Sequence, residues 1–400
     1  MAYKKMNKSL SIIFAFFPIL SIYETGIIPV LSIGQILLIL YFLAFCINNR
    51  LELQFPAFVL YSICITMACM TKPGISINES LHELLAFILF FSLFSFVVKA
   101  VVYKDFLCGI KFLGFLSLYF FYVQYILSFV GIKIIGIVPG IPLSNGSDPA
   151  AFHSSHLLLN RLSSIFQEPA HFAQFMSMFL SIVLYKYKNT RNNLLLSLFI
   201  SLAIILCKSA GGYVLLIICW ASWGYRFIKN KKNKARYILL SLVLMSGIIF
   251  LVVHNSSTNS VIERYQTLST TPENSEYGYS SYIRLFRGYI PFIEGNIAEM
   301  IFGHGIGTLL SFNRMNPNSL FLTITDYDAN WINSFQFILF GTGIIGTSLF
   351  FMYLIRLYKR TSALGKNLCF VYLATLLSTG ILLTASSMLF LYVIYIERKT

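Results

Sequence analysis

Apolar residues along this chain come in long blocks separated by short polar joints, not in the alternation of a half-buried strand. Blocks near twenty residues match the hydrocarbon core of a bilayer. The pattern predicts apolar helices over 9–23, 27–47, 55–71, 80–98, 107–130, 169–185, 193–207, 211–228, 236–254, 331–355, 366–380 and 381–396. That is an all-α integral membrane protein, a single polytopic domain over 1–400 with about 12 transmembrane helices. Met1 to Lys8 reads as a basic tail. Two long polar stretches break the pattern, 131–168 and 255–330. Within the second, Tyr282 to Glu299 reads as helical, Gly303-His304-Gly305-Ile306-Gly307 as a tight, flexible turn, and Asn313 to Asn330 as polar loop.

Composition supports this reading. Hydrophobic residues are 57% of the chain, aromatic residues 16% and charged residues 11%, where a soluble domain carries about a quarter charged. A net charge of +15 would suggest nucleic acid as a partner until the charges are placed. With the N-terminus inside, 22 of the 30 Lys and Arg fall on the inner side, with only Glu52, Asp105 and Glu397 among the acids. This is the positive-inside pattern of a multi-pass membrane protein with both termini cytoplasmic, and no nucleic-acid partner is expected. Both long loops then lie outside. The first apolar block has no small-residue cleavage site and runs straight into the next, so it reads as a span rather than a signal peptide. Nearly all of the seven cysteines sit in apolar segments without metal-ligand spacing, as small buried hydrophobes do. The inner joints have no room for a nucleotide domain, and no Walker or dinucleotide fingerprint appears.

Candidate chemistry is therefore sought outside. The outer basic residues are Lys72, Lys133, Arg161, Lys208, Arg264, Arg284, Arg287 and Arg314. Arginine suits bidentate contact with phosphate oxygens. Arg161, Arg284 and Arg287 as a group, then Arg264 and Arg314, are candidates to grip a diphosphate; the alternative is pairing with the outer acids to fold the loops. Arg284 and Arg287 stand three apart, on one side of a helix. At the end of the first loop, Glu168 precedes Pro169, which suits a first helical position. Glu168 reads either as an N-cap carboxylate partnered by Arg161, or as a group that orients the arginine or takes a hydroxyl proton. His171 and His304 are alternative general bases, since histidine titrates near neutral pH; each also reads as structural. Asp326-Tyr327-Asp328 resembles an Asp-x-Asp metal triplet, but one triplet in an acidic loop reads as solvated loop, and no metal site is expected.

Three stretches together resemble the O-antigen and capsular polysaccharide polymerase family, within the wider O-antigen ligase/polymerase superfamily. They are Arg161-x-Ser163 with Phe166-x-Glu168-Pro169-x-His171-Phe172; Tyr282-x-Arg284-x-x-Arg287 with Ile301-Phe302-Gly303-x-Gly305-x-Gly307; and Asn333-Ser334-Phe335 with Gly343-Ile344-Ile345-Gly346. The resemblance implies a GT-C-like fold. It also implies a metal-independent glycosyl transfer, with no cofactor, on the outer face of the bacterial plasma (inner) membrane. The implied donor is a glycan on undecaprenyl diphosphate and the acceptor a lipid-linked oligosaccharide unit. Chain-length regulator and flippase proteins are the implied partners beside the lipid bilayer. Two departures stand out. Ligases of the superfamily carry His before the Asn of the third stretch, where this chain has Ile332, and a mid-chain Ser-Arg-Gly turn is here Lys208-Ser209-Ala210-Gly211-Gly212. An O-antigen-type ligase and a lipid-oligosaccharide flippase are the alternative functions. A flippase is expected to show internal repeats, charges within spans and short outer loops.

Overall fold

A computed structural model describes residues 2–24, 31–48, 54–132, 134, 136–138, 141–143, 161–186, 191–229, 285–323 and 332–398. Among them the fold is all-α: two isolated bridges, Tyr23 with Leu143 and Glu24 with Ser32, are its only β pairing. In chain order the helices are α1 (Ala2–Ala15), α2 (Phe17–Leu20), α3 (Ile33–Asn48), α4 (Ala57–Cys69), α5 (Ile77–Ala100), α6 (Tyr103–Phe129), α7 (Pro169–Lys186), α8 (Arg191–Leu206) and α9 (Ala210–Lys229). Then come a 3₁₀ turn at Arg287–Tyr289, the short α10 (Ile290–Glu294), α11 (Ile297–Phe302), α12 (Leu309–Met315) and α13 (Leu320–Thr323). The chain ends with α14 (Ser334–Arg360), α15 (Ala363–Ser378) and α16 (Ala385–Ile396). The predicted segment 236–254 and the triplet Asp326-Tyr327-Asp328 lie outside the described residues; every other predicted apolar block contains a helix.

Three helices, α5, α6 and α14, are long and apolar enough to cross a membrane, and five further apolar helices are 10–17 residues long. At 1.5 Å per residue the latter fall short of a full hydrocarbon thickness unless flanking residues complete them. Helix starts are set by side chains. Ser76 caps α5 by accepting from the Glu79 N–H, and Ser362 and Thr384 do the same for α15 and α16. Those caps explain why the last helix begins at Ala385 and not 381: Thr379 to Thr384 form the joint that presents the cap.

Two helices sit at the centre. From Phe172 to Val183 every residue of α7 is buried, and so is most of α16. A helix apolar all round must be surrounded, and α7 packs on α6, α8, α9, α15 and α16. The filling is aromatic, with Phe14, Phe106 and Tyr392 in mutual ring contact at one end and Phe121 stacked on Phe172 at 4.8 Å at the other. Beyond α16, buried Glu397 accepts from Tyr103 Oη at 2.6 Å, from Lys186 Nζ at 2.8 Å and from the Ser362 hydroxyl. Burial works against its charge, but these donors outweigh burial and hold its pKa below the ordinary carboxylate value. The charge pattern assigns Lys186 and Glu397 to one side of the membrane; here they are one ion pair.

The second predicted loop contains more structure than its composition indicates. Of the helical reading over 282–299, residues 282–284 lie outside the described residues; from Arg287 on it becomes a 3₁₀ turn and two short helices, because Gly295 separates α10 from α11, which Asn296 restarts with a full capping box. The predicted polar loop from Asn313 includes the end of α12 and all of α13. Leu309, Phe312, Phe321, Ile332 and Phe340 close a separate small apolar core beneath them.

Candidate functional site

The junction 161–172 is built on the end of α6. Ser164, in the left-handed region at φ 56°, donates its hydroxyl to the Ser117 carbonyl at 2.7 Å. Gln124 Nε2 donates to the carbonyls of Ser164 and Ile134. Phe166 packs on Phe172 and Phe175. Pro169 opens α7, and the Glu168 carbonyl accepts the first helical bond, from the Phe172 N–H at 3.1 Å. The Glu168 and His171 side chains, both half-buried, have no hydrogen-bond or ion partner among the described residues. The predicted Glu168–Arg161 pair is therefore not formed. Arg161 instead lies where its charge acts on Cys207 and Tyr213, at the turn between α8 and α9. That turn carries Lys208 at φ 54° and sits against Pro169, whose carbonyl is 3.8 Å from Cys207 Sγ.

The start of α14 joins this junction. Asn333 makes a capping box with Gln336, and Asn333 Nδ2 donates to the Leu377 carbonyl. The Ser334 hydroxyl donates to Thr379 O and accepts from the N–H groups of Ile381 and Leu382. One turn into α7, Gln174 Nε2 donates to Thr379 Oγ1 at 3.2 Å. Thr379 thus links the first polar junction to the third.

The glycine-rich turn meets α14 further along, where the helix breaks at Gly343 (φ 62°, ψ −168°). In an unbroken helix the carbonyls of Phe340 and Gly341 would accept from residues 344 and 345. Here the N–H groups of His304 and Gly305 reach them, at 3.0 and 2.9 Å. A Cβ on Gly343 would lie 2.5 Å from Gly303 N, and one on Gly303 2.5 Å from the Gly341 carbonyl. Only glycine on both sides allows backbones this close. On its other flank the turn is held by α4: Tyr61 Oη donates to Phe302 O, and Ile306 N–H to Thr66 Oγ1. The predicted flexible turn is docked between two helices.

Most ionisable groups of this block contact the protein itself, while the buried His304 Nε2 has no hydrogen-bond partner among the described residues. Arg287 is 0% exposed; its Nε donates to Phe321 O at 3.0 Å and its guanidinium lies 3.9 Å from the Phe321 ring centroid. Arg314, 62% exposed, pairs with Glu79 at 2.7 Å. His304, 6% exposed, stacks on Phe340 at 4.4 Å and meets Phe312 edge-on. Burial, with a contribution from Lys72, pushes its pKa down to about 4 against the pull of Glu299, 4.0 Å away. Glu299 is half-buried, which opposes its charge, but the Asn296 N–H and Lys72 hold it below the ordinary carboxylate range. Arg264 and Arg284 lie outside the described residues.

A group that the pattern reading passed over lies at the start of α5. Asn78, Glu79, His82 and Glu83 form one wall of a cleft of about 410 Å³, facing the 305–307 turn and the apolar side chains of Leu310 and Phe337. Their spacing of three and four along a capped helix start puts them on one side. That signal was present in the sequence, hidden at the polar edge of an apolar block.

The chain matches no protein-family model and no curated protein.

Proposed function

We propose that the chain polymerises lipid-linked oligosaccharide repeat units. The growing glycan passes from undecaprenyl diphosphate to the non-reducing end of an incoming lipid-linked unit, on the outer face of a bacterial plasma membrane crossed about twelve times. One observation carries the reading: the three stretches of the resemblance, scattered between residues 161 and 346, converge on α14. Gln174, two residues past the first stretch, bonds Thr379, which accepts from Ser334 at the start of α14; Gln336 Nε2 donates to Leu285 O beside Arg287, and the glycine turn bonds the carbonyls at the helix break.

In this reading an acceptor hydroxyl attacks the anomeric carbon of the donor. The new C–O bond forms as the bond to the diphosphate breaks, and the electron pair leaves on the diphosphate. Arg161, with Arg284 and Arg264, meets the charge that develops there. The hydroxyl proton goes to Glu168 or His171, the candidate bases without a hydrogen-bond or ion partner among the described residues. Arg287 and His304 hold the scaffold, and Arg314 holds Glu79. Deleting the protein from its host is expected to leave surface glycan of single repeat units. Full-length chains, or none at all, would overturn the proposal.

A further inference from the structure

The cleft beside the start of α5 has no part in the chemistry assigned to the junction. Its volume of about 410 Å³ falls in the range of small-molecule sites. Its lining is mixed: Asn78, His82 and Glu83 are polar, Leu310 and Phe337 apolar. The charges inside it are unequal too. Glu79 is neutralised by Arg314 and bonded by the Ser311 hydroxyl, whereas Glu83 has no ion or hydrogen-bond partner among the described residues. The stem of Glu83 is fixed: a Cβ on Gly307, at φ 76°, would lie 2.6 Å from Glu83 Cβ, so the turn backbone rests directly on it.

This set of groups discriminates between ligands. An uncompensated carboxylate repels a diphosphate, so the cleft does not duplicate an arginine site. It accepts hydrogen bonds from hydroxyls, and the Asn78 amide both donates and accepts. A sugar ring has a rim of hydroxyls and an apolar C–H face, which suits a lining that combines polar and apolar side chains. We propose that this cleft binds an inner sugar of the acceptor, behind the one whose hydroxyl attacks. The assignment rests on the polymerase reading for the ligand's identity, and on the cleft alone for its chemistry.

The test is equilibrium titration of the full chain in nanodiscs. The probe is the lipid-free repeat oligosaccharide, released by mild acid from the host's own lipid-linked pool. Glu83→Gln keeps the shape and removes the charge, and should weaken binding roughly tenfold, the worth of one charge-assisted hydrogen bond. Leu310→Trp should fill the cleft and abolish binding. Gly224→Ala, where an added Cβ meets nothing within 4 Å, should leave it unchanged. Equal binding by wild type and both cleft variants would overturn the assignment, and so would no binding by wild type at millimolar probe. Glu83-dependent binding of putrescine in place of the oligosaccharide would assign the cleft to cations and overturn it as well. A polymer assay run alongside separates the two claims: absence of chain growth with Glu83-dependent sugar binding intact would sink the polymerase reading and leave the cleft standing.

Discussion

The two outer regions that carry the candidate residues are built on opposite plans. In the block from Arg287 to Arg314, together with the broken α14, the ionisable groups are used by the fold: Arg287 under Phe321, His304 on Phe340, Glu299 with Lys72, Arg314 with Glu79. At the junction 161–172 the backbone is pinned just as firmly, through Ser164, Gln124 and the Phe166 ring, yet the Glu168 and His171 side chains have no hydrogen-bond or ion partner among the described residues. A rigid frame that leaves ionisable side chains unengaged is what a reacting site requires. A frame that consumes them is a scaffold. In the proposed polymerase reading, the difference favours the helix start at Pro169 over His304 as the place of a general base.

The largest effect that would break this comparison is on the scaffold. Gly343→Ala puts a Cβ 2.5 Å from Gly303 N on a residue at φ 62°, with ψ −168° also outside the range of L side chains. A loss above about 4 kcal/mol is expected, seen as failure to recover monodisperse protein in detergent. Gly224→Ala on α9, where a Cβ meets nothing within 4 Å, should be neutral or slightly stabilising. Equal melting of the two variants would mean that the turn and the helix break do not depend on each other.

Next is the contrast between two arginines. Arg287→Lys removes the Nε bond to Phe321 O and the planar contact with the ring, and leaves a poorly solvated ammonium. A loss of about 3 kcal/mol and reduced protein level are expected. Arg314→Lys alters an exposed pair and should cost less than about 1 kcal/mol. Thermal melts of the two variants check this. If Arg287→Lys melts like wild type but makes no polymer, Arg287 belongs to the reacting site and the division between the regions fails.

Much of this organisation was legible in the pattern of the chain. Apolar blocks located the helices, and Pro169, Asn333 and Gly303 marked the joints where polar chemistry gathers. What the pattern could not carry was pairing across distance. Arg161 and Glu168 are seven residues apart, which suggests a partnership; the fold instead turns Arg161 toward Cys207 and Tyr213. Arg287 looks like any outer arginine until Phe321 covers it. Glu83 reads as the edge of a span until Gly307 is packed against it. Local signals such as caps, breaks and apolar length survive in one dimension, whereas the partner of a charge is a tertiary property.

A smaller effect appears with pH. His304 has its pKa lowered to about 4 from an ordinary 6.5 by burial. Below 6.5 the unfolded chain takes up a proton that the folded chain refuses, so its contribution is fully present above pH 6.5 and lost as pH falls toward 4. At about 1.4 kcal/mol per unit, the loss is on the order of 3 kcal/mol across that window. Glu299, with its pKa below 4.5, contributes in the same direction but only in more acid solution. His304→Phe keeps the ring against Phe340 and removes the titration, so its melting temperature should be nearly flat between pH 6.5 and 5 while that of wild type falls. Parallel curves would mean that His304 takes its proton freely and is open to serve as a base.

The smallest effect on folding should accompany the decisive one on activity. The Glu168 backbone carbonyl accepts the first bond of α7, and a substitution leaves that bond in place. Its side chain has no partner among the described residues, so Glu168→Gln should shift stability by no more than about 0.5 kcal/mol. If the carboxylate takes the acceptor proton, the same variant should form little or no polymer from purified lipid-linked units. His171→Gln is the matched control, since Glu168 stands just before α7 and His171 in its first turn, and neither side chain has a partner among the described residues. Loss with Glu168→Gln and retention with His171→Gln assigns the base to the carboxylate; the reverse assigns it to the imidazole. Full activity in both would remove the junction from the chemistry, and with it the reason to regard its unengaged groups as anything more than a wet helix start.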